Sequence, residues 1–379
     1  MFGYVFKNKW KSMFILVIDV LGTIFFYPVK IFKKTEKSEI KKILVIRLDQ
    51  MGDVIQTFPF FEALKNKYPS SEIYALVAKE TAVLLKNNKN VNKTYVMENS
   101  WFYQGKKIKA GETLNLIKNL KKEKIDVAFD LRGDFRNIVF SFLCGAQRIY
   151  GYGCTGGSFL LTDKKKYVRD MHEIDKNLNL ISEKAGDILT MDFMTDVENS
   201  IEIEKFLADK NVSSFTKKVV IHPFVGTQSK LWGFHNFSSL MKKIARNSKN
   251  VKFFVIGSHQ ERKYENEFEW NDYTINCIGI FSLPSTVELI KKCEIYVGCD
   301  SGPQYFAAYS GKKTCIIYGD VSNYLRWKPK VQEENFIAVS TPVDCGNCEL
   351  ETCPPKKGHK CMNVITPDEV YEKIKNWFA

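Results

Sequence analysis

The stretch VGCDSGPQYFAAYSG, from Val297 to Gly311, follows an apolar run and predicts a strand end, a tight turn and a helix start. Asp300 lies where the buried strand meets solvent. Ser301 suits a helix N-cap, and Gly302 lets the backbone approach a ligand closely. The first N–H groups of the next helix favour an anion. The stretch indicates a site for a phosphorylated ligand at the carboxyl end of a parallel sheet, or else an ordinary capped helix.

A second stretch near the start of the chain has the same organisation. KILVIRLDQMGDVIQTFP, from Lys42 to Pro59, predicts a buried strand over Ile43–Ile46, a loop, and a helix from Val54 with Asp53 near its N-cap. A third stretch, HPFVGTQSKLWGFHNF from His222 to Phe237, follows another predicted strand. The order and spacing of the three are more specific than any one of them.

Together these stretches resemble the heptosyltransferase family (glycosyltransferase family 9), from about Lys41 to the C-terminus. The family's R-x-D-x-x-G-D turn is matched by the residues from Arg47 to Asp53, and its loop with a Lys and a Trp by the third stretch. Its D-[ST]-G-x-x-H turn is matched from Asp300, except that Tyr305 stands where the family has His. Tyrosine stays neutral near pH 7 and is larger, so the departure bears on the identity of the donor.

Length and alternation predict an α/β chain of two domains. Its 379 residues suit two domains, and predicted strands and helices alternate in both halves, as in doubly wound parallel sheets. Two Rossmann-like halves give the GT-B architecture, which the resemblance also implies, with the active site in the cleft between them. We expect residues 1–40 to form an apolar amphipathic helix and a linker, 41–210 the acceptor-binding domain, and 211–379 the nucleotide-sugar-binding domain.

The resemblance implies a catalytic base at Asp53, which would take the proton of an acceptor hydroxyl. The alternative is that Asp53 only caps the helix that follows it. Asp49, in the same turn, is expected to orient the loop. On the acceptor side, Arg132 and Arg136 suit a carboxylated or phosphorylated sugar, although both could be plain surface charges.

The predicted donor contacts follow strands of the second half. Lys230 is the expected diphosphate contact, supported by neighbouring hydroxyls, and its alternative is a solvated loop lysine. Glu261 is a candidate for the ribose hydroxyls or a solvent-facing helix residue, whereas His222 is expected in the core and Trp232 to pack its loop. The full predicted donor set is Thr227, Ser229, Lys230, Glu261, Asp300, Ser301 and Gly302.

The expected donor is a nucleotide-diphosphate sugar, with ADP-heptose suspected from the resemblance, and no cofactor is expected for catalysis. No D-x-D pair stands where it would place a divalent ion, so helix N-termini and basic side chains are expected to meet the diphosphate charge. The resemblance implies an inverting, metal-independent glycosyl transfer to a lipopolysaccharide-core or other lipid-linked glycan. Two alternatives remain open, namely a catalytically silent sugar-nucleotide-binding relative and a GT-B sugar-nucleotide epimerase.

The net charge of +13 predicts an anionic partner. No nucleic-acid-binding pattern is present, so an acidic glycolipid acceptor and an anionic membrane surface are favoured over nucleic acid. The apolar stretch Met13–Val29 has lysines on both sides. Its narrow polar seam consists of Ser12, Asp19, Thr23, Tyr27 and Lys30. The stretch predicts a helix in the membrane interface, at the inner face of the cytoplasmic membrane. A short span and a helix packed on the protein's own surface are the alternatives.

Four of the ten cysteines have the spacing C-x2-C-x4-C-x7-C: Cys345, Cys348, Cys353 and Cys361. This spacing suits a structural zinc site, an iron–sulfur cluster or two disulfides, outside the catalytic machinery. We expect the Cys-rich segment 345–361, which precedes the final helix, to have a structural role.

Overall fold

Two doubly wound α/β units make up the chain, which is described by a computed structural model. Residues 9–32, 39–102, 109–187, 189–321 and 324–379 are described, for 9 and 27–32 the backbone alone. One unit is Met1–Ala185 and the other Gly186–Ala379. Most of the predicted linker, at 33–38, therefore lies outside the described residues, as do the side chains of Tyr27 and Lys30 in the predicted polar seam.

The first unit is built on a parallel sheet of six strands among the described residues, in the order β3-β2-β1-β4-β5-β6. Its strands are β1 (Lys42–Arg47), β2 (Glu72–Ala78), β3 (Lys93–Met97), β4 (Val127–Asp130), β5 (Arg148–Gly151) and β6 (Asp163–Lys164). Its helices are α1 (Lys9–Phe32), α2 (Met51–Ile55), α3 (Phe58–Lys67), α4 (Ala110–Glu123), α5 (Phe135–Leu143) and α6 (Glu173–Asn179). The run from Ile43 to Ile46 is fully buried, as expected of a central strand covered on both faces.

The second unit repeats this topology, with the described strands in the order β12-β11-β10-β7-β8-β9, all parallel. Its strands are β7 (Lys217–His222), β8 (Val251–Gly257), β9 (Thr274–Ile278), β10 (Ile295–Cys299), β11 (Lys313–Ile317) and β12 (Phe336–Val339). Its helices are α7 (Val197–Asp209), α8 (Phe234–Asn247), α9 (Leu283–Lys292), α10 (Pro303–Tyr309), α11 (Lys360–Asn363) and α12 (Pro367–Ile374). Both sheets have the Rossmann strand order, which confirms the predicted α/β class and the two Rossmann-like domains.

The boundary between the units differs from the prediction, which placed it after residue 210. Helix α7 belongs to the second unit because it packs on α9, where the Glu202 carboxylate accepts a hydrogen bond from Ser285 and Lys292 pairs with Glu204 at 2.6 Å.

Helix α1 is present as predicted and packs one face on the first unit. The Asp19 carboxylate accepts hydrogen bonds from the Gly157 backbone N–H (2.7 Å) and the Ser158 hydroxyl (2.6 Å). The Phe26 ring lies 5.5 Å from the rings of Phe142 and Phe159. The alternative of a helix packed on the protein's own surface therefore holds for this face. Within the described part of the chain, no helix is both long and apolar enough to cross a membrane.

Candidate active site

In the first unit, predicted site residues gather where the strand order reverses, beside β1 and β4. Arg47 ends β1, and Asp53 lies in the first turn of α2, directly beyond the loop. Arg132 follows the end of β4 by two residues. Ligands of open α/β sheets bind at this reversal, outside the carboxyl ends of the strands.

Arg47 is the centre of a buried cluster of charges, here called the Arg47 cluster and defined by Arg47, Asp49, Asp53 and Glu173. The Arg47 Nη2 atom lies 2.7 Å from Asp53 Oδ1 and 2.8 Å from Glu173 Oε1, and its Nε atom lies 3.1 Å from Asp49 Oδ2. Lys176 binds the other oxygen of Glu173 at 2.8 Å. Of the four side chains, Asp53 is the most exposed at 18%, so it is the one that solvent or a substrate can reach.

Two carboxylates of the Arg47 cluster, Asp53 and Glu173, have very different pKa values. Burial raises the pKa of Asp53 to about 6; attraction by Arg47 opposes this, and repulsion by Asp49 and Glu173 adds to it. Burial would also raise the pKa of Glu173, but Arg47 and Lys176 outweigh it and hold that pKa at about 2. Asp53 is thus ionised at pH 7 yet more basic than an ordinary aspartate, which suits a general base.

The capping alternative for Asp53 is not what the structure shows. The N-cap of α2 is Gln50, no side chain caps this helix, and the Asp53 carboxylate binds Arg47 instead. Asp49 binds Arg47 and Arg132, as expected of a residue that orients the loop.

The two predicted acceptor arginines share one aromatic ring. The guanidinium carbons of Arg132 and Arg136 lie 4.1 and 4.8 Å from the centre of the Phe102 ring. Arg136 also binds both oxygens of Asp134 at 2.9 Å, while Arg132 pairs with Asp49. Each arginine side chain is 46% exposed. The structure brings them together as half-exposed cations that are already paired with acids.

In the second unit, two predicted donor residues meet at the corresponding strand reversal, beside β7 and β10. Lys230 follows β7, Asp300 follows β10, and their side chains pair at 2.6 Å. The other Asp300 oxygen accepts a hydrogen bond from the Gln304 amide (2.9 Å), whose oxygen accepts one from the Tyr318 hydroxyl (2.7 Å). The sequence prediction missed Gln304 and Tyr318, although Gln304 stands four residues after Asp300, at helical spacing.

The prediction that Ser301 is the N-cap of the helix after β10 is wrong. The N-cap of α10 is Gly302, with no side-chain cap, and its φ of −50° is one that any residue adopts. The Ser301 hydroxyl instead lies 3.0 Å from His222 Nδ1. Burial lowers the pKa of His222 to about 4, so its ring is neutral at pH 7. His222 is therefore the buried, hydrogen-bonded histidine that was expected, and its partner is a predicted donor residue.

The loop that carries Lys230 is braced from the Cys-rich segment. The Ser229 hydroxyl is buried and donates to the Leu350 carbonyl, and the Ser229 carbonyl lies 2.8 Å from His359 Nε2. The Ser229 side chain is thus engaged with backbone in the structure, and its predicted contact with the donor stays a prediction. Thr227 is the N-cap residue of the 3₁₀ helix Gln228–Lys230, and Trp232 is buried and donates to the Ile365 carbonyl, so it packs the loop as expected.

Glu261 and Tyr305 each form hydrogen bonds within the second unit. Glu261 forms a capping box with Ser258 at the start of the 3₁₀ helix His259–Glu267. Tyr305, at the position of the family histidine, is buried, stacks on Tyr309 with 6.1 Å between ring centres, and donates to the Trp327 carbonyl at 2.9 Å. Its hydroxyl is bound to backbone in the structure.

The four clustered cysteines are free thiols. Burial raises the pKa of Cys361, and the neighbouring thiols of Cys345, Cys348 and Cys353 raise it further. Cys361 belongs to the apolar core of the second unit, and the other three are half-buried. No three His, Cys, Asp or Glu side chains in the described ranges are arranged to hold a metal ion. The structure thus forms neither of the disulfides, nor a preformed zinc site, that the spacing suggested.

Comparison with known proteins gives one consistent family. The model of glycosyltransferase family 9 (heptosyltransferase) matches residues 113–359. Lipopolysaccharide heptosyltransferase 1 of Campylobacter coli is 22% identical over 89% of this chain and 99% of its own length. Lipooligosaccharide heptosyltransferase 2 of Campylobacter jejuni is 25% identical over 88% of this chain and 98% of its own length.

Solved structures show the same fold. A glycosyl transferase family 9 protein of Veillonella parvula has a TM-score of 0.72 and 18% identity over 89% of this chain and 98% of its own. The ADP-heptose lps heptosyltransferase II of E. coli has a TM-score of 0.70 and 19% identity over 88% of this chain and 98% of its own.

Proposed function

Since the chain belongs to glycosyltransferase family 9, the heptosyltransferases, we propose that it moves a heptose or similar sugar from a nucleotide-diphosphate sugar to a lipopolysaccharide-core or other lipid-linked glycan. The observation that carries this proposal is the state of Asp53, a partly exposed carboxylate with a pKa of about 6 at the strand reversal of the first unit. The names of the relatives support the sugar and the acceptor class.

Asp53 is proposed to act as the general base. As the acceptor hydroxyl attacks the anomeric carbon, its proton passes to Asp53, and the bond between the sugar and the diphosphate breaks. Attack from the side opposite the leaving diphosphate inverts the anomeric configuration. Arg47 holds the Asp53 carboxylate in place, because it binds one of its oxygens at 2.7 Å.

Lys230 is proposed to meet the negative charge of the departing diphosphate. Its side chain is 26% exposed and its ammonium is held by Asp300, so the charge is fixed in position before the donor binds. With a fixed cation at this place, the proposed transfer needs neither a metal ion nor another cofactor. Thr227, Asp300, Ser301 and the backbone at Gly302 would contact the rest of the donor's sugar and diphosphate.

The proposed donor is ADP-heptose, which the name of the E. coli neighbour mentions. Glu261 is proposed to bind the ribose hydroxyls through the oxygen that does not cap Ser258. On the acceptor side, the half-exposed Arg132 and Arg136 suit the carboxylates or phosphates of an acidic core sugar. A lipid-linked acceptor places the protein at the cytoplasmic face of a membrane, as a peripheral protein.

The test is turnover of ADP-heptose with a soluble acidic core-sugar acceptor, comparing wild type with Asp53→Asn. We expect kcat to fall on the order of 10²- to 10⁴-fold with donor affinity nearly unchanged, because the amide cannot accept the proton. Asp163→Asn is the matched control, since Asp163 is a half-exposed carboxylate of the same unit. Turnover near the wild-type rate in Asp53→Asn would exclude Asp53 as the base. A wild-type protein that binds nucleotide sugars in a melting-temperature panel but transfers none would be a silent relative.

A further inference from the structure

Helix α1 is held flat on the first unit by contacts along one face. Asp19 binds Gly157 and Ser158, and one turn later Gly22 approaches the Phe159 ring so closely that a Cβ would lie 2.5 Å from it. Phe26 packs on the same ring. These contacts recur every three or four residues, so the inward face of α1 is set by its helical period.

The outward face of α1 is apolar. Trp10, Phe14, Val17, Leu21, Ile24 and Phe25, here called the apolar face, are each between 52% and 76% exposed. The first five follow one another at intervals of four and three residues, which places them in a single stripe along the helix. An ordinary surface helix has the reverse arrangement, with its apolar side on the protein and its polar side in water.

We propose that the apolar face of α1 is the docking surface by which the protein binds an anionic membrane, with the helix lying in the plane of the interface. This inference rests on the proposed function, in which the acceptor is lipid-linked and the protein is peripheral at a membrane. It adds the surface of the protein that contacts the lipid. Continuous exposed apolar stripes of this size mark interaction surfaces. Because Asp19, Gly22 and Phe26 all contact the first unit, the helix is tied to that unit and would carry it to the lipid surface.

Charge favours lipid over a second copy of this chain as the occupant. The sequence places Lys7, Lys9 and Lys11 around the start of the stripe and Lys30, Lys33 and Lys34 after its end. Lysines flanking an interfacial helix are attracted to anionic headgroups, whereas two copies joined through this stripe would bring like charges together. The aromatic members of the apolar face suit the boundary between headgroups and acyl chains.

The test is sedimentation of the full-length protein with vesicles of phosphatidylethanolamine and phosphatidylglycerol, with phosphatidylcholine vesicles for comparison. We expect binding to the anionic vesicles, weakened by salt. The double variant Phe14→Ser/Leu21→Ser should bind about 100-fold more weakly, at roughly tenfold for each apolar side chain lost. The matched control is Phe215→Ser/Ile201→Ser, which removes an aromatic and an aliphatic residue that are 90% and 60% exposed on the second unit. It should bind like wild type.

A second pair, Val17→Ser/Ile24→Ser, repeats the test with different side chains of the stripe, and melting temperatures verify that each variant is folded. Undiminished vesicle binding in both pairs would overturn the proposal. So would a lipid-free dimer that these variants dissociate, since a second copy would then cover the face, and so would resistance to alkaline extraction, which marks a span. Vesicle binding is measured without substrate, so its failure is distinguishable from failure of sugar transfer, which turnover on a soluble acceptor reports.

Discussion

Replacing Glu173 with glutamine should move the acid limb of the pH–rate profile to lower pH. Asp53 and Glu173 bind the same nitrogen of Arg47, so the negative charge of one makes ionisation of the other harder. Glutamine keeps the size of the side chain and removes that charge. Asp53 should then lose its proton more easily, and activity should persist at a pH where the wild type is already protonated and inactive.

The magnitude follows from the geometry. The Asp53 and Glu173 oxygens lie 2.7 and 2.8 Å from Arg47 Nη2, so they are at most about 5.5 Å apart. Two unit charges at that distance repel by roughly 3 kcal/mol at an effective dielectric constant near 20, which corresponds to a change of about 2 in a pKa. Because Arg47 and Asp49 remain in place, we expect the acid limb to move down by about one to two pH units from its wild-type position near pH 6.

The assay is kcat/KM for the donor between about pH 4.5 and 8, which reports the ionisation of the free enzyme. Glu173→Gln leaves the buried Lys176 without its carboxylate partner, so the variant Glu173→Gln/Lys176→Met removes the whole ion pair and protects the fold. Glu183→Gln is the control, because Glu183 is a half-exposed glutamate of the same unit that pairs with Lys67 at 3.5 Å.

The reasoning would be refuted if both Glu173 variants were folded and kept the wild-type limb. A limb that moved upward would also refute it, because the sign of the electrostatic argument would then be wrong. A limb that moved equally in Glu183→Gln would assign the effect to the net charge of the unit rather than to the Arg47 cluster.

Three further predictions concern the second unit. In titration calorimetry, Lys230→Ala should weaken binding of the nucleotide sugar and of free nucleoside diphosphate but leave binding of the nucleoside unchanged. The control Lys243→Ala removes an ion pair of equal length elsewhere in the unit and should leave binding of all three ligands unchanged. Gln304→Leu should lower the free energy of unfolding by about 1–3 kcal/mol, because one Asp300 oxygen loses its amide donor and the Tyr318 hydroxyl loses its acceptor. It should lower donor affinity as well, and unchanged values for both would contradict the hydrogen-bonded chain. Cys361→Ser should lower the melting temperature, because a hydroxyl replaces a buried thiol in the core. The protein that remains folded should keep its turnover. Loss of turnover without loss of stability would argue against a structural role for Cys361.

The sheets were predictable because buried parallel strands are nearly continuous apolar runs. The prediction of Ile43–Ile46 differs from the observed strand Lys42–Arg47 by one residue at each end. Strand β6 was missed because its two residues, Asp163 and Lys164, are polar and carry no pattern. Short helices were less well defined, since two turns of apolar spacing do not distinguish a 3₁₀ helix, as at Lys79–Leu85, from an α-helix.

The position of the candidate site residues at an edge of the sheet was also predictable, but the partners of their side chains were not. A turn that follows a strand of a parallel sheet must lie at its carboxyl edge, and Asp53 and Asp300 do follow β1 and β10; that both strands lie at a strand reversal came from the structure. The partner of Arg47 at Glu173 comes from 126 positions away, and that of Ser229 at Leu350 from 121. Such pairs depend on how loops pack, which a single sequence does not encode as a local pattern.

Tyr305 shows why a motif departure needs its surroundings before it is interpreted. As a sequence feature, tyrosine in place of the family histidine favours the silent relative. In the structure its ring lies against Tyr309 and its hydroxyl is bound to the Trp327 backbone, so the side chain contributes to packing beneath the motif. In the Lys230–Asp300 pair, Asp300 takes Lys230 as one partner and Gln304 as the other. The groups proposed to meet the diphosphate are therefore held in place independently of the missing histidine, and that substitution alone does not argue against transfer.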